Sequence, residues 1–74
     1  MKFRKKPVVI EAEQHRANNW VRGVKEDQTS STKMSIDTLE GKHEVSWGDW
    51  IVTGVKGEHY PVKPDIFEVT YEKL

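Results

Sequence analysis

The sequence predicts one small, mainly β domain over residues 1–74: about six short strands in a bent antiparallel sheet or open barrel, with at most one short helix. Three observations lead to this prediction. The chain has only 74 residues, its apolar residues recur at every second position in several stretches, and glycine or proline separates these stretches. A chain of this length buries only about 60% of the surface that its unfolded form exposes, so we expect a thin core.

The first element is predicted as a strand over residues 8–15. Val8, Ile10 and Ala12 alternate with more polar residues and therefore share one face of an extended chain. Pro7 can begin a strand but cannot lie inside a paired ladder, so we expect the strand to start after it.

The segment over residues 17–33 breaks this alternation. Asn18 or Asn19 can cap a short helical turn around Trp20, which predicts the single short helix here, covering one end of the sheet. Residues 26–33 contain no apolar side chain, which predicts a solvated, mobile loop.

The remaining chain predicts successive hairpins. Strands over residues 34–39 and 43–47 are separated by a three-residue loop with Gly41 at its centre. A turn at Gly48 and Asp49 leads into residues 50–53, the most apolar strand and the one expected to be most buried.

The C-terminal third is divided by prolines. A turn at Lys56–Gly57 leads to a strand arm at residues 58–60. Pro61 and Pro64 bracket an extended piece that cannot be a central strand. One helical turn over residues 64–67 and a final strand from Phe67 complete the predicted order.

Composition narrows the class of protein further. The formal net charge is zero, but residues 1–25 carry seven basic and two acidic side chains, so that the basic N-terminal third is balanced by an acidic remainder. No cysteine is present, which excludes disulfides and thiolate metal sites. A thin core that no disulfide or metal site stabilises favours oligomerisation, and we predict a homodimer.

The sequence also bears on localisation. No apolar run approaches the roughly 18 residues of a membrane span, and no signal peptide is recognised, so a cytoplasmic protein is expected.

The sequence shows no pattern typical of an enzyme. His15, His43 and His59 fall on separate predicted elements without a metal-ligand spacing, and no serine lies in a Gly-x-Ser-x-Gly turn. The pairs of acidic side chains, such as Glu11 and Glu13, recur at alternate positions of predicted strands, which is typical of a solvent-exposed face and not of a catalytic pair. We therefore predict no catalytic residues, no metal and no cofactor.

Two groups of residues are candidates for binding. Trp47 and Trp50 flank the Gly48–Asp49 turn, where two indoles could stack a base; alternatively Trp50 belongs to the core and Trp47 covers the hairpin or a dimer contact. The second group lies around one glycine turn and two prolines. Its cations and polar groups could bind an anionic ligand. Alternatively, its lysines are ordinary surface residues of a hairpin that the prolines hold in shape. Its members are Lys56, His59, Tyr60 and Lys63.

Three parts of the chain resemble a family of short, mostly uncharacterised bacteriophage and prophage proteins. The resemblance lies in KKPVVIEA at residues 5–12, in TLEG at residues 38–41, and in the strings GDWIV, GVKGE, YP, KPDIFE and TYE between residues 48 and 72. It implies a phage origin but no activity. Two positions depart from the family: Trp47 stands where proline is frequent, and Val62 stands where cysteine is frequent, which argues against an essential thiol.

Together these observations favour an accessory binding protein of phage type. In this hypothesis it occupies a host or anti-phage defence protein in the host cytoplasm, without catalysis. The alternatives are sequestration of a small anionic signal such as a nucleotide, nucleic-acid binding through the basic N-terminal region, and a minor structural role in the virion. Net charge near zero argues against strong non-specific nucleic-acid binding.

Overall fold

The computed structural model describes residues 1–3, 9–26 and 33–73, which form a mainly β fold with one short helix. The six short strands and the single helix confirm the predicted fold class. The strands pair antiparallel throughout and form two three-stranded sheets. The elements are β1 Glu11–Gln14, β2 Lys25–Glu26, β3 Met34–Thr38, β4 Gly41–Val45, β5 Trp50–Thr53, β6 His59–Val62 and α1 Pro64–Thr70.

The first sheet has the strand order β1-β5-β6, with the most apolar strand in its centre. Neighbouring residues Ile51 and Val52 of β5 point to opposite faces, and both are buried. This agrees with the burial expected for residues 50–53. Pro61 has no N–H to donate, and β6 accordingly lies at the sheet edge.

The second sheet has the order β2-β3-β4. Its hairpin is tighter than predicted, because Thr38 pairs directly with Gly41 and only Leu39 and Glu40 form the turn. The Thr38 hydroxyl accepts a hydrogen bond from the Glu40 N–H (3.1 Å) and donates to the Gly41 carbonyl (2.8 Å). Gly41, with φ of 108°, is the first residue of β4 rather than the centre of the loop.

The hydrophobic core lies where the two sheets meet. β6 of the first sheet contacts β3 and β4 of the second. The segment between β1 and β2 contributes two buried valines to the same cluster, so it covers the core as expected although it is not helical. The cluster consists of Val21, Val24, Met34, Ile36, Val45 and Ile51.

The helical turn predicted near Trp20 was wrong. Arg16 and Asn19 instead form an antiparallel bridge, in which the Arg16 N–H donates to the Asn19 carbonyl (3.2 Å) and the Asn19 N–H to the Arg16 carbonyl (2.9 Å). The Asn19 side-chain amide donates to the Gln14 carbonyl (3.1 Å). Asparagine here stabilises a chain reversal, which is the alternative to a helix cap for this residue type.

The final strand predicted from Phe67 onward was also wrong. Residues 64–70 form α1, which begins at Pro64, where the missing N–H would have no helical partner. The Phe67 ring stacks on Trp50 with a centroid distance of 4.3 Å and an interplanar angle of 5°. Phe67 and Tyr71 share one side of either a strand or a helix, and the stacking on Trp50 favours the helix.

Some predictions concern parts of the chain that lie wholly or partly outside the described residues. Most of the loop predicted at 26–33 lies there, as does Val8, the first residue of the strand predicted at 8–15. Of the described residues 9–15, Glu11–Gln14 form β1, so the strand is shorter than predicted. The predicted homodimer involves a second chain and stays a prediction. The described helix, α1, has seven residues and is too short and too polar to cross a membrane.

Candidate binding site

The two tryptophans that the sequence places beside one turn lie in different clusters. Trp50 is half-buried in β5, where it stacks on Phe67, and it is not a member of the buried core cluster. Trp47 lies in the turn over residues 46–49 and is 54% exposed. They therefore do not form one stacking site, and Trp47 alone is available to a partner.

The second predicted group does not converge on one ligand position. His59 and Tyr60 are neighbours in β6 and point to opposite faces of the sheet. The His59 Nδ1 lies 3.1 Å from the Thr53 hydroxyl. On the other face, the Tyr60 and Tyr71 hydroxyls are 3.3 Å apart, and this hydrogen bond together with burial raises the pKa of Tyr60 to about 12.

The two lysines of that group are also separated. The Lys63 ammonium lies 3.1 Å from the carboxylate of Asp49. Lys56 lies in the exposed loop between β5 and β6, where its backbone N–H donates to the Glu58 carboxylate (3.0 Å). The geometry therefore gives no support to an anion site built from Lys56, His59, Tyr60 and Lys63 together.

A cluster of three aromatic rings surrounds Trp47 instead. The His15 ring stacks on Trp47 with a centroid distance of 4.8 Å and an interplanar angle of 4°. Trp20 meets both rings nearly at right angles, at 4.8 Å from His15 and 5.8 Å from Trp47. His15 is completely buried, whereas Trp20 is 44% exposed. We call the exposed part of Trp20 and Trp47 the Trp20–Trp47 surface.

These distances show which side of Trp47 is open. If Trp20 covered the outer face of Trp47, it would be much farther from His15 than from Trp47. It is closer to His15, so it lies beside the stacked pair. The face of the Trp47 indole opposite His15 is therefore left uncovered by either ring, in agreement with its exposure.

His15 provides a fixed support beneath this surface. The Val21 N–H donates to His15 Nδ1 (3.2 Å), so Nδ1 carries no proton and the neutral ring carries its hydrogen on Nε2. Nε2 lies 3.2 Å from the Met34 sulfur, a weak acceptor. Both nitrogens are engaged, and the ring has little freedom to rotate.

The turn that carries Trp47 is tied to the same segment. The Gly48 N–H donates to the His15 carbonyl (2.7 Å), and the His15 N–H donates to the Asp49 carbonyl (2.8 Å). The Asp49 carboxylate, 2% exposed, accepts from the Ser46 N–H (2.9 Å). Gly48 has φ of 92°, which favours glycine at this position. The backbone on both sides of Trp47 is thus held in place.

The Trp20 side chain is fixed by its own hydrogen bond. Its indole N–H donates to the Val24 carbonyl (2.9 Å). The polar atom of the indole is therefore satisfied inside the protein, and the exposed part of the ring is apolar. An exposed apolar ring that is held rigid loses little conformational entropy when a partner covers it.

Sequence reasoning found Trp47 but missed His15 and Trp20 as its neighbours. The sequence singles out Trp47 because it ends a predicted strand and directly precedes a glycine turn. The sequence predicts a helical turn around Trp20 and shows no partner for His15. No spacing in the sequence indicates that these three residues meet.

Burial of His15 predicts a pH dependence of stability. Desolvation lowers the pKa of the His15 imidazole from its ordinary 6.5, while the nearby Asp49 charge opposes this shift. The unfolded chain then takes up this proton at higher pH than the folded chain. We expect full stability above pH 6.5 and a loss as pH falls from 6.5 through the lower pKa, with a slope of at most ~1.4 kcal/mol per pH unit.

The measurement is urea unfolding at intervals between pH 8 and pH 5. The variant His15→Phe lacks the titrating group and should lose this part of the pH dependence while keeping any contribution from other groups. Equal slopes for the natural chain and His15→Phe would show that His15 does not cause the effect.

Fold and site together define a small, mainly β domain with a rigid exposed aromatic surface. Comparisons with protein-family models, with curated proteins and with solved structures found no match.

Proposed function

We propose that this chain is a non-catalytic binding protein that occupies a partner protein through the Trp20–Trp47 surface. The observation that carries the proposal is the exposure of two indoles, 44% and 54%, on a buried and hydrogen-bonded support. The resemblance to phage and prophage proteins supports the narrower proposal that the partner is a host or anti-phage defence protein.

The energetics favour a protein partner for such a surface. Covering two half-exposed indoles would remove on the order of 100 Å² each from water, or about 2.5 kcal/mol per ring. Tryptophan is among the residues that contribute most to protein–protein affinity, particularly when it is rigid and surrounded by contacts that exclude water.

The ionisable groups next to the surface support occupancy of a target rather than turnover. Both nitrogens of His15 are engaged in the interior, and the Asp49 carboxylate is buried against Lys63 and the Ser46 N–H. These groups have structural roles that explain their positions without any reaction.

The test is capture of a partner from lysate of a bacterial host, followed by measurement of its dissociation constant with purified protein. Trp47→Ala and Trp20→Ala should each weaken binding at least tenfold, because a central aromatic contact contributes about 2 kcal/mol or more. Leu39→Ala is the matched control, since Leu39 is also exposed and apolar but lies in the β3–β4 turn.

Each variant is first checked for folding by circular dichroism. A partner whose affinity is unchanged in both tryptophan variants would place the binding surface elsewhere. If no protein is captured at any concentration tested, the proposed class of partner is wrong.

A further inference from the structure

The Arg16 guanidinium is held beside the turn that carries Trp47. Its Nε–H donates to the Gln14 side-chain oxygen (2.7 Å), and a terminal N–H donates to the same oxygen. The Gln14 side-chain amide in turn donates to the Gly48 carbonyl (3.0 Å). One side chain, Gln14, thus connects Arg16 to the residue that directly follows Trp47.

This arrangement leaves part of the guanidinium available. Of its five N–H donors, two point to a neutral amide oxygen, and three remain. Arg16 is exposed, and within the described residues the carboxylates found in ion pairs are Asp49 with Lys63 and Asp37 with Lys25. Arg16 therefore brings a fixed positive charge to the edge of the Trp20–Trp47 surface without a carboxylate partner in that part of the chain.

In the two segments that carry the surface, residues 14–22 and 45–50, the exposed charged side chains are positive. The charged side chains over residues 14–22 are Arg16 and Arg22, both exposed. The single acidic residue over 45–50 is Asp49, which is buried and paired with Lys63. A partner that covers this surface would meet positive charge at its border, which favours a negatively charged partner.

We propose that Arg16 determines specificity by pairing with a carboxylate, an aspartate or glutamate that the partner protein carries next to the apolar side chain covering Trp47. The proposal rests on the proposed function. The planar guanidinium matches a carboxylate with two parallel hydrogen bonds, and Gln14 holds it in advance, which reduces the entropy lost on binding.

An acidic protein segment fits these observations better than a nucleic acid. A polyanion is bound chiefly by several cations that release its counterions, whereas Gln14 fixes a single guanidinium here and the chain has a net charge of zero. One guanidinium, held through Gln14 next to the turn of an exposed indole, matches one carboxylate that lies next to an apolar side chain.

The test is selection of a random twelve-residue peptide library, displayed on phage, against the immobilised full chain. We expect enrichment of peptides that carry aspartate or glutamate within two residues of an aromatic side chain. Enrichment of this pattern should fall at least tenfold with Arg16→Gln, and Trp47→Ala should abolish it. The matched control is Lys42→Gln, which removes an exposed cation at the start of β4, the end of that strand remote from the turn that carries Trp47, and should leave the pattern unchanged.

The strongest selected peptide is then synthesised with glutamate or with glutamine at the acidic position. The glutamine version should bind the natural chain about tenfold more weakly and should bind Arg16→Gln no differently from the glutamate version. Arg16→Lys retains the positive charge but lacks the planar guanidinium that makes two parallel hydrogen bonds. We therefore expect its affinity for the glutamate peptide to lie between those of Arg16→Gln and the natural chain.

The outcomes separate the two proposals. Peptides that need Trp47 but show no acidic preference, or keep it in Arg16→Gln, would overturn the role of Arg16 and leave the proposed function standing. Failure to select any peptide that depends on Trp47 would count against both. A single-stranded twelve-nucleotide DNA that binds through Arg16 more tightly than the best peptide would replace the acidic protein segment by a nucleic acid.

Discussion

Replacement of His15 by alanine is expected to destabilise the fold by about 3–5 kcal/mol. The ring is completely buried between Trp20, Trp47 and Met34, so its removal leaves a cavity. It also leaves the Val21 N–H without its acceptor. A domain of this size has a free energy of unfolding on the order of 4–11 kcal/mol, so the substitution would remove a large part of it.

Two further variants separate the causes of this loss. His15→Phe fills the cavity but cannot accept the Val21 hydrogen bond, and we expect a loss of about 1–3 kcal/mol. His15→Asn offers an acceptor near the position of Nδ1 but leaves much of the cavity, so the packing loss should dominate. Either variant can be measured if His15→Ala does not fold.

The measurement is urea unfolding at pH 7.5, followed by circular dichroism and by tryptophan fluorescence. The fluorescence should change together with the circular dichroism, because Trp20 and Trp47 both contact His15. A loss below about 1 kcal/mol for His15→Ala would contradict the structural role assigned to the ring.

Replacement of Asp49 by alanine is the second large effect, with an expected loss of about 2–3 kcal/mol. The carboxylate is 2% exposed and accepts from the Ser46 N–H. The Lys63 side chain is half-exposed, so its ammonium regains water when Asp49 is removed. The loss therefore comes mainly from the unpaired Ser46 N–H and the space left in the turn.

This substitution should also affect binding, because the same turn places Trp47. Asp49→Ala is expected to weaken binding of a Trp47-dependent peptide severalfold at a temperature where the variant is still folded. Asp49→Asn keeps an oxygen that can accept from the Ser46 N–H, and we expect it to lose about 1 kcal/mol and to bind normally. Equal losses in the two variants would show that the charge of Asp49, and not its role as an acceptor, stabilises the turn.

Local sequence patterns determined most of the secondary structure. The alternation over residues 34–38 predicts β3, because side chains of an extended chain point alternately to two faces. The apolar run over residues 50–53 predicts β5 as a strand that is buried on both faces. Pro61 predicts an edge position for β6, because proline lacks the N–H that an inner strand would donate. These signals depend only on neighbouring residues and can be recognised without the fold.

Where two local patterns fit the same residues, the contacts made in the folded chain decided between them. Phe67 and Tyr71 fit a strand and a helix equally well, and stacking of Phe67 on Trp50 accompanies the helix. Asn19 fits a helix cap and a chain reversal, and its hydrogen bonds to Arg16 and Gln14 accompany the reversal.

The candidate site depends on the tertiary structure even more strongly. By itself the sequence determined a mainly β chain with a tryptophan beside a turn, and the exposure of that tryptophan is known only from the structure. The contacts of Trp47 with His15 and Trp20, and the link from Arg16 through Gln14 to Gly48, require the end of β1 to lie beside a turn more than thirty residues away. That contact is set by the pairing of β1 with β5, and strand pairing over such a distance leaves no periodic signal in the sequence because it depends on how whole faces pack.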